Sequence, residues 1–289
     1  SLLFFPTLSQ IKEFSRIMDR YMTNLEYNAT VSRISGQELF NIVDSLGGTY
    51  IPAHAFTPHK SFYGNCTDRL TNIFDYDSFE KIPTIELGLS ADTYMACQIS
   101  ELDGKTFLSN SDAHSLPKMG REYNVMLMED LSYNEVMKAL RNQDGRKIVA
   151  NYGLNPKLGK YHRTFCLKCE EITKLPPPVL KCPNDPNHKV VVGVKDRLEV
   201  IKDRDSCPKD SRPPYYYQVP LEFIPKVGPK TIEKLIDAFG NEMNVLHKAS
   251  KEEIASVVSE DIADMIIKGR EGTLSIAHGG GGTYGKVEK

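Results

Sequence analysis

A carboxylate and an imidazole stand two positions apart in residues 107–115, which read FLSNSDAHS. On a β-strand, residues i and i+2 point to the same face, so a strand here would aim Asp112 and His114 at one point. Mixed oxygen and nitrogen donors of this kind suit divalent metal ions. The competing interpretation is a capped turn, in which Ser109, Asn110 and Asp112 accept hydrogen bonds from nearby backbone N–H groups.

Two further strand-like segments carry potential metal ligands. Residues 50–56 form a short apolar run that contains His54, and residues 84–90 form another in which Glu86 lies among isoleucine and leucine. A carboxylate in an apolar strand is costly unless it is paired or bound to a metal. Because ligands from different strand ends meet at one face of a barrel, we expect a shared metal centre. Its predicted ligands are His54, Glu86, Asp112 and His114, and the last three are the predicted catalytic residues.

The cysteines predict a second metal site. Cys166 and Cys169 have the C-x-x-C spacing of half a zinc knuckle, and Cys182 follows at a suitable distance. His188 is the favoured fourth ligand, with Cys207 and His162 as alternatives. Metal binding would supply folding energy to a segment that is poor in apolar residues, so a zinc ion here would be structural. The two remaining cysteines, Cys66 and Cys97, are expected to be small buried apolar residues.

A glycine-containing turn precedes a helix near the C-terminus, in residues 223–232 (FIPKVGPKTI). Such a turn exposes backbone N–H groups that can bind phosphate oxygens, and Lys226 and Lys230 add positive charge around Gly228. The competing interpretation is a plain helix-turn-helix packing unit. This segment therefore predicts either a DNA-backbone contact or a structural hairpin.

The composition is that of an ordinary globular chain. It has 289 residues, 40% hydrophobic and 26% charged, and no apolar run as long as a membrane span. The net charge of −2 does not indicate a nucleic-acid partner, but residues 155–212 hold 13 basic and 8 acidic side chains. We therefore predict no membrane contact, a cytoplasmic location, and a basic middle segment that follows a nucleic-acid backbone.

Helix-period and strand-period segments alternate over the first half of the chain, which predicts an α/β fold with a mostly parallel sheet. Ser9 and Ser35 are the predicted caps of the first two helices, and Glu38 would complete a capping box with Ser35. The glycine-rich residues 278–282 are expected to be mobile in isolation. Helices are predicted over residues 11–21, 35–46, 91–99, 132–141, 231–239, 250–258 and 261–268.

Four stretches together resemble the PHP-domain family, and more closely endonuclease Q and its bacterial relatives. They are residues 51–60 (IPAHAFTPHK), 86–92 (ELGLSAD), 109–115 (SNSDAHS) and 159–169 (GKYHRTFCLKC). The resemblance implies a partial distorted TIM-like barrel in residues 1–154, a small zinc-binding module in 155–212, and a helical, helix-hairpin-helix-like DNA-binding region in 213–289.

The resemblance also implies an activity: a metal-dependent endonuclease of DNA repair that nicks DNA at deaminated bases, uracil or hypoxanthine, or at abasic sites. Catalytic Zn²⁺, Mn²⁺ or Mg²⁺ would activate a water and stabilise charge on the phosphate, and a separate Zn²⁺ would be structural. The implied partner is lesion-containing DNA; a sliding clamp or another repair protein is an open possibility. The predicted DNA contacts are Lys160, Arg163, Lys226, Gly228 and Lys230.

The chain departs from the PHP pattern at one point: it contains no H-x-H motif, which in that family supplies the first half of the metal cage. We therefore expect a chain that starts inside a longer protein, binds catalytic metal weakly on its own and cleaves poorly. Two alternatives follow. One is a PHP phosphoesterase acting on a small phosphate ester; the other is a non-catalytic DNA-binding or scaffold protein with an incomplete cage.

Overall fold

A computed structural model describes residues 1–22, 33–59, 61–208 and 212–288. Helices alternate with short strands in the first part of the chain, as the sequence predicts. In chain order these elements are β1 (Leu2–Phe4), α1 (Leu8–Met18), α2 (Gly36–Ser45), β2 (Thr49–Ile51), α3 (Tyr76–Lys81), β3 (Thr84–Glu86), α4 (Thr93–Ala96) and β4 (Thr106–Leu108).

The middle of the chain adds longer strands and a segment of very short ones. Its elements are β5 (Tyr123–Leu127), α5 (Tyr133–Arg141), β6 (Lys147–Leu154), β7 (Phe165–Cys166), β8 (Glu171–Ile172), β9 (Val190–Val191), α6 (Val194–Ile201) and β10 (Tyr215–Gln218).

The C-terminal part is mainly helical. It contains α7 (Pro229–Phe239), α8 (Glu242–His247), α9 (Lys251–Ala255), α10 (Glu260–Glu271), β11 (Ile276–Ala277) and β12 (Lys286–Val287). The sequence predicts α7, α9 and α10 within a few residues but misses α8. Within the described ranges, no helix has both the length and the apolar character needed to cross a bilayer.

Side chains that cap helix N-termini explain where the early helices begin. The hydroxyl of Ser35 accepts a hydrogen bond from the backbone N–H of Glu38, as predicted, and α2 starts there. The carboxylate of Glu38 instead accepts from the Tyr21 hydroxyl at 2.9 Å, so the capping box is only half formed. The predicted cap Ser9 is wrong: Thr7 caps α1 by accepting from the backbone N–H of Gln10.

The strands form small mixed sheets, whereas the sequence predicts a mostly parallel one. β3 pairs with β4 and β6 with β10 in parallel, but β1–β2 and β5–β6 are antiparallel. Backbone hydrogen bonds from Ala55 to the Glu86 carbonyl and from Glu86 to the Pro52 carbonyl connect the end of β2 to β3. The fold is therefore mixed α/β, with the ends of β2, β3 and β4 next to one another.

Two main hydrophobic cores lie under these elements, and each crosses a predicted module boundary. The larger core lies in the N-terminal part and includes Leu198 and Ile201 of α6. The second core joins the C-terminal helices and includes Leu154 and Leu158. Elements on either side of residues 154 and 212 are thus packed together, and the three-part division stays a proposal about function.

The glycine-rich segment 278–282 packs against the rest of the chain. β11 pairs with β12, and the backbone N–H of Gly282 donates to the Lys160 carbonyl at 3.0 Å. A Cβ on Gly281, which has φ +61°, would lie 2.4 Å from the Phe165 ring. Glycine is needed there because the chain approaches so closely.

Candidate metal centres

Glu86 lies at the end of β3, buried between apolar neighbours. Its Oε2 accepts a hydrogen bond from the backbone N–H of His54 at 2.6 Å, and its Oε1 accepts from that of Gly88 at 3.1 Å. Burial raises the pKa of Glu86 to about 7, although these two hydrogen bonds oppose the shift. The carboxylate is therefore fixed in orientation and poorly solvated, a state that a bound cation would relieve.

His54 follows β2 and contacts Glu86 through its backbone. Its φ of +33° is uncommon for a residue with a side chain. Its Nδ1 is buried and makes no hydrogen bond within the described residues. Burial lowers the pKa of His54, with the nearby carboxylate of Asp112 acting in the opposite direction. A neutral imidazole with an unused nitrogen suits metal ligation.

Asp112 and His114 are not on a strand, and the prediction that they share a strand face is wrong. β4 ends at Leu108, and both residues lie in the exposed loop that follows. Asp112 has φ +44°, and the Nδ1 of His114 lies 2.7 Å from the Asp112 carbonyl oxygen. The competing capped turn is not seen either: among the described residues, no backbone N–H donates to the side chains of Ser109, Asn110 or Asp112, and Ser109 Oγ has no partner. The Asp112 carboxylate still acts electrostatically on His54 and Glu86.

Two asparagines that the sequence analysis missed anchor this loop. The side chain of Asn124 accepts from the backbone N–H of Ser109 at 2.8 Å and donates to the Ser109 carbonyl at 3.0 Å. Asn151, fully buried on β6, donates to Asn124 at 2.8 Å and to the Phe107 carbonyl at 3.0 Å. Each is a polar residue within a strand, Asn124 in β5 and Asn151 in β6, and this is the sequence signal that could have identified them, as it did Glu86.

The four predicted catalytic ligands are brought near one another but not into one compact set. In the described part of the chain, no cluster of three or more side chains that is compact enough to hold a metal ion includes any of them. His54 and Glu86 are in contact, Asp112 lies within electrostatic range, and His114 is folded back on its own loop. The unused nitrogen of His54 and the buried carboxylate of Glu86 fit a cation.

The cysteine segment forms a compact cluster. Cys166, Cys169, Cys182 and His188 place their ligand atoms within 4.8 Å of one another, as predicted. The Nδ1 of His188 lies 3.4 Å from the Cys169 sulfur and 3.7 Å from each of the other two. Its Nε2 lies 3.3 Å from the Asp185 carboxylate, which orients the ring. These four side chains can hold a metal ion.

The alternative fourth ligands have other partners. Cys207 forms a disulfide with Cys97, 110 residues away in sequence, so the expectation that Cys97 is an unpaired apolar residue is wrong. Cys66 is a free thiol but exposed, against the expectation of burial. His162 is buried beside the His278 ring, with 5.0 Å between ring centroids.

Arg163 is the predicted DNA contact that the structure contradicts. Its guanidinium is buried and bonded to Asp196, with Nε 3.0 Å from Oδ2. Asp196 also accepts from the backbone N–H groups of Thr164 and Val179 at 2.9 and 2.8 Å. The pair connects α6 to the cysteine segment, and the arginine has no free face for a phosphate.

The remaining predicted DNA contacts lie on the surface or near it. Lys160 is half-buried, with Nζ 4.6 Å from the centre of the Tyr284 ring. Lys226 is exposed with φ +69°, and its Nζ lies 3.6 Å from the Asp261 carboxylate. Gly228 is the N-cap of α7, and both it and Lys230 are exposed. A Cβ on Gly228 would meet no atom within 4 Å, so the turn is open.

The chain is thus a mixed α/β protein with a Cys₃His site able to hold a metal ion and a histidine–glutamate pair at its strand ends. Residues 229–273 match the family model described as the MJ0043 C-terminal domain. YqxK of Bacillus subtilis is 45% identical over 99% of this chain and 73% of its own length. MJ0043 of Methanocaldococcus jannaschii is 39% identical over 81% of this chain and 31% of its own length.

Two solved structures match over nearly the whole chain. One is the lesion-specific endonuclease PfuEndoQ from Pyrococcus furiosus, with a TM-score of 0.83; the other is an endonuclease Q in complex with a 27-mer duplex that carries an abasic lesion at the active site, with a TM-score of 0.86. Each is 36% identical, with 99% of this chain covered and 74% or 75% of the other. The chain belongs to the endonuclease Q family.

Proposed function

We propose that this chain is a metal-dependent DNA endonuclease of DNA repair that nicks DNA at deaminated bases, uracil or hypoxanthine, or at abasic sites. The observation that carries the proposal is the contact between Glu86 and His54 at adjacent strand ends, in a fold that matches two endonuclease Q structures over 99% of its length. The Nδ1 of His54 has no hydrogen-bond partner among the described residues, and burial holds the pKa of Glu86 at about 7 despite its two backbone hydrogen bonds. The duplex bound to one of these relatives carries an abasic lesion, which favours lesion-containing DNA as the substrate of this chain.

In this proposal His54, Glu86, Asp112 and His114 hold one or more ions of Zn²⁺, Mn²⁺ or Mg²⁺. Such ions lower the pKa of a bound water and stabilise charge that develops on the phosphate. The protein fixes Glu86 through the two backbone N–H groups that it accepts from, and keeps the Nδ1 of His54 free of other bonds. Asp112 and His114 approach from a loop whose start is anchored by Asn124.

The Cys₃His cluster has a different role in the proposal. A tetrahedral zinc ion with Zn–S bonds of about 2.3 Å has sulfur–sulfur distances of about 3.8 Å, and the sulfurs of Cys169 and Cys182 are 3.6 Å apart. Three thiolates and an imidazole fill all four positions and leave none for a water. Zinc at this site would therefore stabilise the fold of residues 165–192 without taking part in the reaction.

DNA contact is proposed for the exposed turn before α7 and for Lys160. Lys226, Gly228 and Lys230 present two ammonium groups and an open backbone at the start of that helix. Arg163 is withdrawn from the set because Asp196 neutralises it in the interior. This division assigns the reaction to residues 1–154, structural support and the Lys160 contact to 155–212, and the remaining DNA docking to 213–289.

A nicking assay tests the proposal. Duplexes with one uracil, one hypoxanthine or one abasic site are compared with the undamaged duplex, each with added Mn²⁺, Mg²⁺ or Zn²⁺. We expect weak strand cleavage at a lesion, because the chain contains no H-x-H motif. Glu86→Gln keeps the size of the side chain but removes the negative charge, and should abolish this cleavage. Glu80→Gln, the same change at an exposed position of α3, should cleave normally. Cleavage that is unaffected by Glu86→Gln, or no cleavage of any lesion duplex, would contradict the proposal.

A further inference from the structure

Three tyrosines form a continuous stack on one face of the β10–β6–β5 sheet. Tyr123, Tyr152 and Tyr216 come from neighbouring strands and lie opposite one another in register. Ring centroids are 4.6 Å apart in both pairs, with interplanar angles of 6° and 24°. Because β5 is an edge strand of this sheet, Tyr123 is the last ring at that end. A further planar group can join the stack there.

A cavity of about 440 Å³ lies between this end of the stack and α8, and we call it the tyrosine cavity. Its lining includes Tyr123, Tyr152, Asn241, Asn244 and Lys248. His247 also lines it, with its ring edge-on to Tyr152 and 4.8 Å between the ring centroids. Its volume falls within the range of about 300–1,000 Å³ that is usual for small-molecule sites. At its rim, Gly120 has open space around it, since an added Cβ would meet no atom within 4 Å. The cavity is therefore accessible to a planar ligand.

The side chains opposite the tyrosines leave unused polar groups. Asn241 uses its Oδ1 to cap α8, and its Nδ2 donates to no other described residue. Asn244 donates from Nδ2 to the Phe239 carbonyl at 2.7 Å, and its Oδ1 accepts from none of the described residues. The ammonium of exposed Lys248 has no ion pair with them either. One donor, one acceptor and one cation thus face an aromatic surface.

This combination matches the chemistry of a nucleotide. A base offers a planar face that stacks on an aromatic ring and an edge that carries both donors and acceptors, and its phosphate is an anion. A wholly apolar ligand would leave both amide groups unpaired, at a free-energy cost. A phosphate alone would make no use of the tyrosines. Of these ligands, only a nucleotide uses the tyrosine face, the two amides and the ammonium group together.

We propose that the tyrosine cavity binds an unpaired nucleobase of the DNA, stacked on Tyr123, with its edge bonded to Asn241 and Asn244 and its phosphate near Lys248. The inference rests on the proposed function only in taking DNA as the ligand, because the cavity is separate from the predicted catalytic ligands. It gives the chain a further point of contact with DNA, which holds a base that has left the duplex.

The test is a binding experiment with the whole chain and no added divalent cation, so that cleavage does not interfere. The probes are a thymidine oligonucleotide of about eight residues, within the usual range of single-strand site sizes, and a chain of the same length in which every base is replaced by an abasic tetrahydrofuran. We expect Tyr123→Leu to weaken binding of the thymidine probe about tenfold and to leave the abasic probe unchanged.

Two further variants sharpen the result. Tyr216→Leu makes the same change at the far end of the stack, outside the tyrosine cavity, and should bind both probes normally. Asn241→Ser keeps an oxygen that can cap α8 but removes the amide donor, and should weaken only the thymidine probe, by a few fold. Equal losses for both probes, or equal effects of Tyr123→Leu and Tyr216→Leu, would overturn the inference. Nicking activity is not measured here, so failure of this test leaves the endonuclease proposal standing, and the reverse also holds.

Discussion

The two candidate metal centres of this chain are built in opposite ways. The Cys₃His cluster takes its four ligands from 23 residues of sequence, from Cys166 to His188. Their ligand atoms already lie within 4.8 Å of one another. The other centre, which we call the strand-end site, consists of His54, Glu86, Asp112 and His114. There the backbone of His54 contacts Glu86, while Asp112 and His114 lie on an exposed loop. A local motif can therefore assemble itself, whereas a site made from several strands depends on the loops that complete it.

The largest expected effect comes from the assembled centre. Replacing Cys182 with serine removes one of three thiolates, and the metal contributes folding free energy of order 10 kcal/mol in isolated zinc modules. We expect loss of the bound metal, measured by elemental analysis, and rapid proteolysis within residues 165–192. The matched control is Cys66→Ser at an exposed free thiol, which should keep its metal content and its resistance. If Cys182→Ser kept a full complement of metal, the cluster would not be a binding site.

The next effect concerns the ion pair that supports the same segment. Arg163→Met leaves Asp196 charged and buried, so we expect the free energy of unfolding to fall by about 3–5 kcal/mol. Chemical denaturation measures this fall. Lys168→Met removes an exposed charge from the same segment and should change the free energy of unfolding by less than about 0.5 kcal/mol. Loss of DNA binding by Arg163→Met without loss of stability would restore the arginine as a DNA contact.

The strand-end site should make the free energy of unfolding depend on pH. The pKa of Glu86 is raised to about 7 in the folded protein, above its value of about 4.3 in an unfolded chain. Between these two values the folded state keeps a proton that the unfolded state has lost, so stability falls as the pH rises through this window. With strand-end metal removed, the loss amounts to about 3 kcal/mol between pH 4 and pH 8, as ~1.4 kcal/mol per pKa unit implies.

Denaturation at a series of pH values measures this slope. Glu86→Gln has no titrating group at this position and should lose the corresponding part of the pH dependence, whereas Glu80→Gln should keep it. Added Mn²⁺ should stabilise the wild-type chain most above pH 7, where the carboxylate is free to bind it. A wild-type curve that matched the Glu86→Gln curve would mean that Glu86 is better solvated than its burial indicates.

The smallest effect concerns the exposed loop after β4, which carries Asp112 and His114. Asn124→Ala leaves the backbone of Ser109 without its side-chain partner, and we expect a loss of about 1–3 kcal/mol in the free energy of unfolding. The stabilisation by Mn²⁺ should also weaken, because Asp112 is no longer held near Glu86. Asn65→Ala, an exposed position, is the control for both measurements. Unchanged Mn²⁺ stabilisation would show that the asparagine supports the fold alone.

The sequence was most informative where chemistry is local. The spacing of Cys166, Cys169 and Cys182 predicted the cluster, because few residues separate the ligands, and the apolar surroundings of Glu86 predicted its burial. The Asp112–His114 pair was placed on a strand because periodicity does not reveal that β4 ends at Leu108.

Contacts between distant parts of the chain could not be predicted. The disulfide partner of Cys97 lies 110 residues away, and C-x-x-C spacing carries no information about such a pair. Arg163 looked like a surface cation because it lies in a basic segment, and its partner Asp196 becomes its neighbour only after folding. Both errors have the same cause: burial is a property of the tertiary structure.

The close approach of Gly281 to the Phe165 ring has a consequence for the evolution of this family. A side chain at residue 281 can be accommodated only if the ring at residue 165 shrinks and the φ angle of +61° changes with it. Homologues that lack the glycine should therefore lack the aromatic ring as well. Paired substitution at residues 165 and 281 would be visible in an alignment. It would show that the glycine-rich segment 278–282 and β7, the strand that carries Cys166, evolve together.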